Sequence, residues 1–304
     1  MQSKKPTPQH KSIRLPDLFT ALEQAGEEDL LITAQALILC GLPYRKTDAP
    51  RHIREAKTAH GTVRLTVTAL DEDTPLPFGK DRAVLAWITT KALQADNPRV
   101  EWATAGEYLD AFGLDKGGRG YRLLGESWER LAKASILLEV RRNEAKHIRP
   151  TLIFERADLP TARDTKDEEE HGLVLLPGMK YGVELGRTLW ENLRSHPVPL
   201  SLSLMREFQD EPKAWDFVAF VSWRSYVCRE TSRPARIPWR DLLQQIGSED
   251  SNQKRLRKTL KSILQRLHGY WPELRAEFLP GGALEIAPPV KGVLPVNGRQ
   301  DPTL

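Results

Sequence analysis

The chain has 304 residues, with 45 lysines and arginines against 41 aspartates and glutamates, a formal net charge of +4 and two cysteines. That length suffices for two domains with separate cores, and the near-balanced total means that any strong field must come from local clustering. Cys40 and Cys228, far apart in the chain, argue against a disulfide framework or a thiolate metal site and lead us to expect a reducing, cytoplasmic setting; no stretch approaches the roughly 18 uncharged apolar residues of a membrane span.

Residues 1–14 are polar and proline-containing and read as a disordered arm. From Asp17 a helical pattern runs through Leu18 and Leu22 into Leu30, Leu31, Ala34, Leu37 and Ile38, and stops before Gly41 and Pro43. GTVRLTVTAL alternates apolar Val63, Leu65, Val67 and Ala69 with polar Arg64, Thr66 and Thr68, the pattern of a half-buried strand. A recurring order then starts at Asp81: an apolar helix, DRAVLAWITTKAL; a second helix, ATAGEYLDAFG, ending at Gly113; and a third, RGYRLLGESWERLAKAS, with Leu124, Trp128, Leu131 and Ser135 on one face. ILLEVRR and RPTLIFER, joined by NEAK, read as a hairpin closing this copy.

The acidic stretch Asp164 to His171 reads as an exposed linker, and LVLLP after it as a further strand closing the first domain's sheet. The second copy opens with AWDFVAFVSWRSYV, continues with PWRDLLQQIG between Pro238 and Gly247, then SNQKRLRKTLKSILQRLHGYW, and ends in the hairpin LRAEF and ALEIA. Three helices followed by a hairpin is the order of a winged helix. The expected fold is therefore α+β and helix-rich: two tandem winged-helix domains at 15–185 and 186–290, with a flexible tail at 291–304 and a boundary within 172–186.

Catalytic constellations are absent from the sequence. The seven histidines show no HExxH or HxH spacing, there is no GxxxxGK[ST] or GxSxG, and GGRGYRLLG places Leu123 where a dinucleotide loop needs its third glycine. A histidine pair with a tyrosine nucleophile, as a DNA-nicking enzyme needs, is also missing. No catalytic residue, metal or cofactor is expected, and the protein is expected not to be an enzyme.

The stretch Ser251 to Trp271 carries six lysines and arginines and no acid. On a helix, Leu256, Leu260, Ile263, Leu264 and Leu267 form one apolar stripe, opposite Lys254, Lys258, Lys261 and Gln265. A helix charged only for solubility mixes signs and uses i, i+4 acid–base pairs; this one has like charges at Lys254/Lys258 and Lys254/Lys261. A membrane-surface helix is disfavoured, because the stripe lacks aromatic anchors and the fold needs it. In a winged helix the third helix enters the major groove, so Ser251, Asn252, Gln253, Lys254, Arg255, Arg257, Lys258, Lys261 and Gln265 are candidate DNA-binding residues, with Arg257 and Arg266 at the stripe's margins better placed for phosphates. Asn252 and Gln253 read equally as adenine-reading amides or as capping residues, Asp250 then being the cap. In the first copy Lys116, Arg119 and Arg122 lead the third helix, and Arg141, Arg142, Lys146 and Arg149 lie on its hairpin as a backbone clamp. Gly117, Gly118 and Gly120 read equally as a close phosphate approach or a flexible loop.

GLPYR at 41–45, LPFGKDRAVLAWITTKAL at 76–93, LDAFGLDKGGRGYRLL at 109–124, PLSLSLMREF, AWDFVAFVSWRSY, IPWRDLLQQIGS at 237–248 and the basic helix ending in YWP occur in one collinear order. Over most of 41–290 this order resembles the plasmid-encoded RepA replication initiators of theta-replicating plasmids. The resemblance implies two winged helices on directly repeated (iteron) sites in double-stranded origin DNA. It also implies opening of an AT-rich stretch, recruitment of the host initiator and helicase, and dimers that repress their own promoter. The family's glycine-rich motif maps onto Gly117, Gly118, Arg119 and Gly120, while the IPW and FVSWR elements are expected in the core. The helix before the second hairpin departs in detail from the family, which leaves the repeat sequence open. A winged-helix transcriptional regulator without a replication role shares every one of these features.

Overall fold

The computed structural model describes residues 29–58, 61–102, 104–142, 145–159, 181–246 and 252–288. The expected arm, the helix start at Asp17, the acidic stretch, the LVLLP strand, Gly247, Asp250, Ser251 and the tail lie outside them.

The first half begins with β1 (Leu30–Ala34) and α1 (Gln35–Leu39). Strand β1 corrects the helix expected through Leu30, Leu31 and Ala34: a short apolar run does not declare its own period. Here Ile32 gives its carbonyl to the Thr89 hydroxyl at 2.6 Å, while its N–H meets the Thr90 hydroxyl at 2.6 Å. A hairpin of β2 (Arg51–Thr58) and β3 (Gly61–Ala69) follows, with Leu65 and Val67 buried. Helix α2 (Asp81–Gln94) is buried on nearly every face, as a central helix must be. Asp81, in its first turn, accepts two hydrogen bonds at 2.8 Å from Arg130. After β4 (Arg99–Trp102) and α3 (Gly106–Ala111), Gly113 at φ 60° turns the chain. Helix α4 (Gly118–Ala132) buries Leu124, Trp128 and Leu131 at i, i+4, i+7 spacing. Strands β5 (Ala134–Arg142), β6 (Ala145–Leu152), β7 (Phe154–Asp158) and β8 (Tyr181–Leu185) complete this half.

The second half runs α5 (Arg187–Ser195), β9 (Pro197–Ser201), α6 (Leu202–Arg206), α7 (Pro212–Thr231), β10 (Ala235–Pro238), α8 (Trp239–Ile246), α9 (Gln253–Tyr270), β11 (Ala276–Leu279) and β12 (Ala283–Ile286). Helix α7 starts with Pro212, whose missing N–H costs nothing in a first turn, and it is the apolar centre of its module. Phe220, Val221, Ser222 and Trp223 on α7, together with Ile237 and Trp239, are buried, so FVSWR and IPW are core elements.

Both halves are winged helices, and the sheets show it. In the second, β10, α8, α9, β11 and β12 follow the apolar α7, and the sheet order is β10-β12-β11. In the first, β4, α3, α4, β7 and β8 follow α2, and the order is β4-β8-β7, the same permutation. This corrects the assignment of the first wing. The hairpin of ILLEVRR and RPTLIFER does form, with Val140 opposite His147, but its strands β5 and β6 join β2 and β3 in a separate sheet, β2-β3-β5-β6. RPTLIFER breaks between Leu152 and Phe154, and only its second part enters the wing sheet. The first module is thus the second plus two insertions, one before α2 and one after α4, which pair through β3 and β5.

The halves also meet directly. Strand β1 pairs antiparallel with β9, Ile32 opposite Pro199, and each strand runs straight into a five-residue helix. An aromatic series, Trp128, Trp102, Trp87, Tyr108, Phe112 and Trp215, with ring centroids 4.8 to 6.1 Å apart, continues from the first core to the second.

Candidate nucleic-acid interface

Helix α9 occupies the third-helix position of the second module. Its stripe Leu256, Leu260, Ile263, Leu264 and Leu267 is buried, each side chain contributing about 1.5–3 kcal/mol of burial. Asn252 is the N-cap, its Oδ1 accepting from the Arg255 N–H at 3.0 Å. The structure therefore assigns Asn252 the capping contact of α9. At the far end the Tyr270 hydroxyl donates to Glu207 at 2.9 Å.

Outward from the stripe, Lys254, Arg255, Arg257, Lys258, Lys261 and Gln265 are all exposed. Among the described residues Lys254, Lys258 and Lys261 form no ion pair, and like charges one turn apart cost the helix about 0.2–0.5 kcal/mol per pair. Arg257 lies over the Trp239 ring at 5.2 Å, and Trp239 stacks on Phe278 at 4.6 Å, so this guanidinium sits between the helix and the wing sheet. Arg266 is not free for phosphates: it pairs with Glu211 at 2.7 Å and covers the Phe208 ring at 4.8 Å, tying α9 to the start of α7. Sequence reading missed Arg236. It is exposed on β10, with its guanidinium beside Gly281 in the wing turn; the in–out alternation of ARIP carries the signal.

The corresponding region of the first module is charge-compensated. Lys116 pairs with Asp110 at 2.6 Å, which raises the lysine pKa through that hydrogen bond, and Arg122 pairs with Glu126 at 3.0 Å. Further along α4, Glu129 holds Lys133 at 2.8 Å. Arg119 is exposed and forms no ion pair among the described residues. The glycines have an internal use: a Cβ on Gly120 would lie 2.2 Å from the Asp115 carbonyl oxygen, and one on Gly117 would lie 2.8 Å from the Asp115 carboxylate. Their close approach is to Asp115.

Arg141, Arg142, Lys146 and Arg149 lie on β5 and β6, hence on the inserted sheet and not on the wing. Lys146 pairs with Glu139, holding that carboxyl below its usual pKa, and Arg149 reaches Glu191 at 3.9 Å. Arg141 and Arg142 remain exposed. The structure thus gathers the second-module residues on one face and leaves the first-module residues divided between α4 and the β5–β6 hairpin. Among the described residues no group of three or more His, Cys, Asp or Glu is arranged to hold a metal ion, and no helix is long and apolar enough to cross a membrane.

No protein-family model matches the chain, and no curated protein matches it in sequence. Among solved structures, the selenomethionine crystal structure of domains 2 and 3 of RctB is similar in fold, with a TM-score of 0.51 and 10% identity over 84% of this chain and 99% of that one. A second crystal structure of RctB domains 2–3 gives a TM-score of 0.46 and 13% identity, covering 82% of this chain and 94% of that one. The first likeness spans both modules, so the two-module arrangement itself is shared.

Proposed function

We propose that this protein is a replication initiator that binds repeated origin sites in double-stranded DNA, with α9 in the major groove and the wing of the second module on the adjacent backbone. The observation that carries the reading is the face of α9: a helix docked by five buried leucine and isoleucine side chains presents lysines to solvent with no acid among its own residues. Phosphates supply the missing counter-charge. The fold likeness to RctB, a replication initiator, supports the same direction.

In this reading Lys254, Lys258, Lys261 and Gln265 face the groove, and Arg257 and Arg236 face phosphates. Arg119, Arg141 and Arg142 are the first-module residues left to touch DNA. The host initiator and helicase are its partners, a homodimer its repressing form, the cytoplasm its place, and it performs no catalysis of its own. The test is a mobility shift and footprint on the DNA upstream of its own gene. Protection of direct repeats over random competitor is expected; no preference overturns the site-specific reading. Plasmid maintenance by the gene and its adjacent repeats alone separates an initiator from a regulator.

A further inference from the structure

The last residue of α8, Ile246, has a carbonyl with no partner inside its own helix, as every helix end does. That carbonyl accepts from two side chains of the other module: the Tyr44 hydroxyl and the Arg54 guanidinium. A cation at a helix C-terminus is also favoured by the helix dipole. Both donors are held in place from behind. Arg54 is buried on β2, stacks over Tyr44 at 4.7 Å and donates through Nε to the His52 ring at 2.9 Å. Burial, with Arg54 and Arg82 nearby, lowers the His52 pKa to about 4, so the ring stays neutral and able to accept.

The same cluster grips α7. Arg82 pairs with Asp216 at 2.8 Å and donates to the Leu42 carbonyl at 2.8 Å, while a Cβ on Gly41 would strike the Asp216 carboxylate at 2.3 Å. GLPYR, LPFGKDR, AWDF and the end of QQI, distant in sequence, therefore meet at one joint. Trp239, the first residue of α8, lies under the Arg257 guanidinium of α9 at 5.2 Å, so the placement of α8 bears directly on that of α9.

We infer that Tyr44 and Arg54 are positioning residues for the DNA-contacting helix: the first module sets the placement of α9 through the Ile246 carbonyl. This rests on the DNA-binding reading above. The experiment compares full-length wild type with Tyr44→Phe, Arg54→Gln and Arg54→Lys, using the footprinted DNA, a random duplex, and hydrogen exchange of the Lys254–Leu260 amides without DNA. Tyr44→Phe and Arg54→Gln should lose on the order of five- to a hundredfold in affinity for the site. They should keep their random-duplex affinity and salt slope, and exchange faster at the start of α9. Arg54→Lys should recover part of the loss. Unchanged site affinity in folded variants overturns the inference, as does an equal loss on both DNAs, which marks a purely structural role. If wild type itself fails to discriminate its site, the DNA reading falls; unchanged α9 exchange in the variants then overturns the positioning role separately.

Discussion

Helices α4 and α9 hold the same place in the same fold and differ in charge balance. Each buries one apolar stripe, with Leu131 and Leu260 fully buried. On α4 Arg122 is answered at one-turn spacing by Glu126, and Lys133 at its C-terminal end by Glu129, which leaves Arg119 as the exposed cation without an ion pair among the described residues. On α9 the row Lys254, Lys258 and Lys261 has no acid within the helix and no ion pair among the described residues. A winged helix thus provides a place from which a helix can enter a groove, and the charge left over after internal pairing decides whether it has reason to. By that criterion the second module carries the main contact in the proposed DNA complex, with the first module positioning it and adding at most Arg119, Arg141 and Arg142.

The largest effects should be the same in both helices. Leu131→Ala and Leu260→Ala each remove a fully buried side chain and should cost about 2–4 kcal/mol in denaturant unfolding. A much smaller cost at one site would mean that its helix is not docked as the other is, and the comparison would lose its footing.

Charge reversal should separate the two. Lys258→Glu with Lys261→Glu should weaken DNA binding by about a hundredfold near physiological salt, with unfolding stability within about 0.5 kcal/mol of wild type. The wild-type slope of log affinity on log salt should be roughly −3 to −4, shallower by about 2 in the variant. Arg119→Glu with Arg122→Glu, on the compensated helix, should cost no more than about fivefold. Equal losses, measured by titration at several salt concentrations, would place both helices on DNA.

The charge contrast was partly legible in the sequence. The α9 stripe and its acid-free face follow from helical periodicity, and Glu126 and Glu129 stand visibly after Arg122. The first wing was not legible. A local hairpin signal identifies β5 and β6 as partners but says nothing about which sheet receives them, and the true closing strand, YGVEL, lies after the long acidic segment. Strand β1 was read as helix because its partner, β9, lies in the other half of the chain. The joint was hidden for the same reason. Tyr44, Arg54, Arg82 and Asp216 are ordinary polar residues until folding brings them within hydrogen-bond reach of one another and of a helix end.

Asn252 allows a finer cut, because α4 begins with Gly117 and no side-chain cap, while α9 begins with one. Asn252→Ala should lower stability by about 1 kcal/mol, and Asn252→Ser, which restores a cap, should return most of it. If capping is the residue's whole role, Asn252→Ser also keeps wild-type discrimination at every base pair of the site. Selective loss at one A·T pair, worth about 1–3 kcal/mol, would show that the amide reads adenine as well.

The smallest effect addresses α4 directly. Gly125 lies inside that helix, and a Cβ there would meet nothing within 4 Å. Unlike Gly120, it has no packing reason to be glycine, so Gly125→Ala should stabilise the protein by about 0.5–1 kcal/mol through helix propensity alone. If α4 does not face DNA, affinity for the site stays unchanged while the melting temperature rises. A variant that is more stable yet binds more weakly would mean that a backbone or base approaches α4 closely at that point, and the division of labour between the two helices would have to be redrawn.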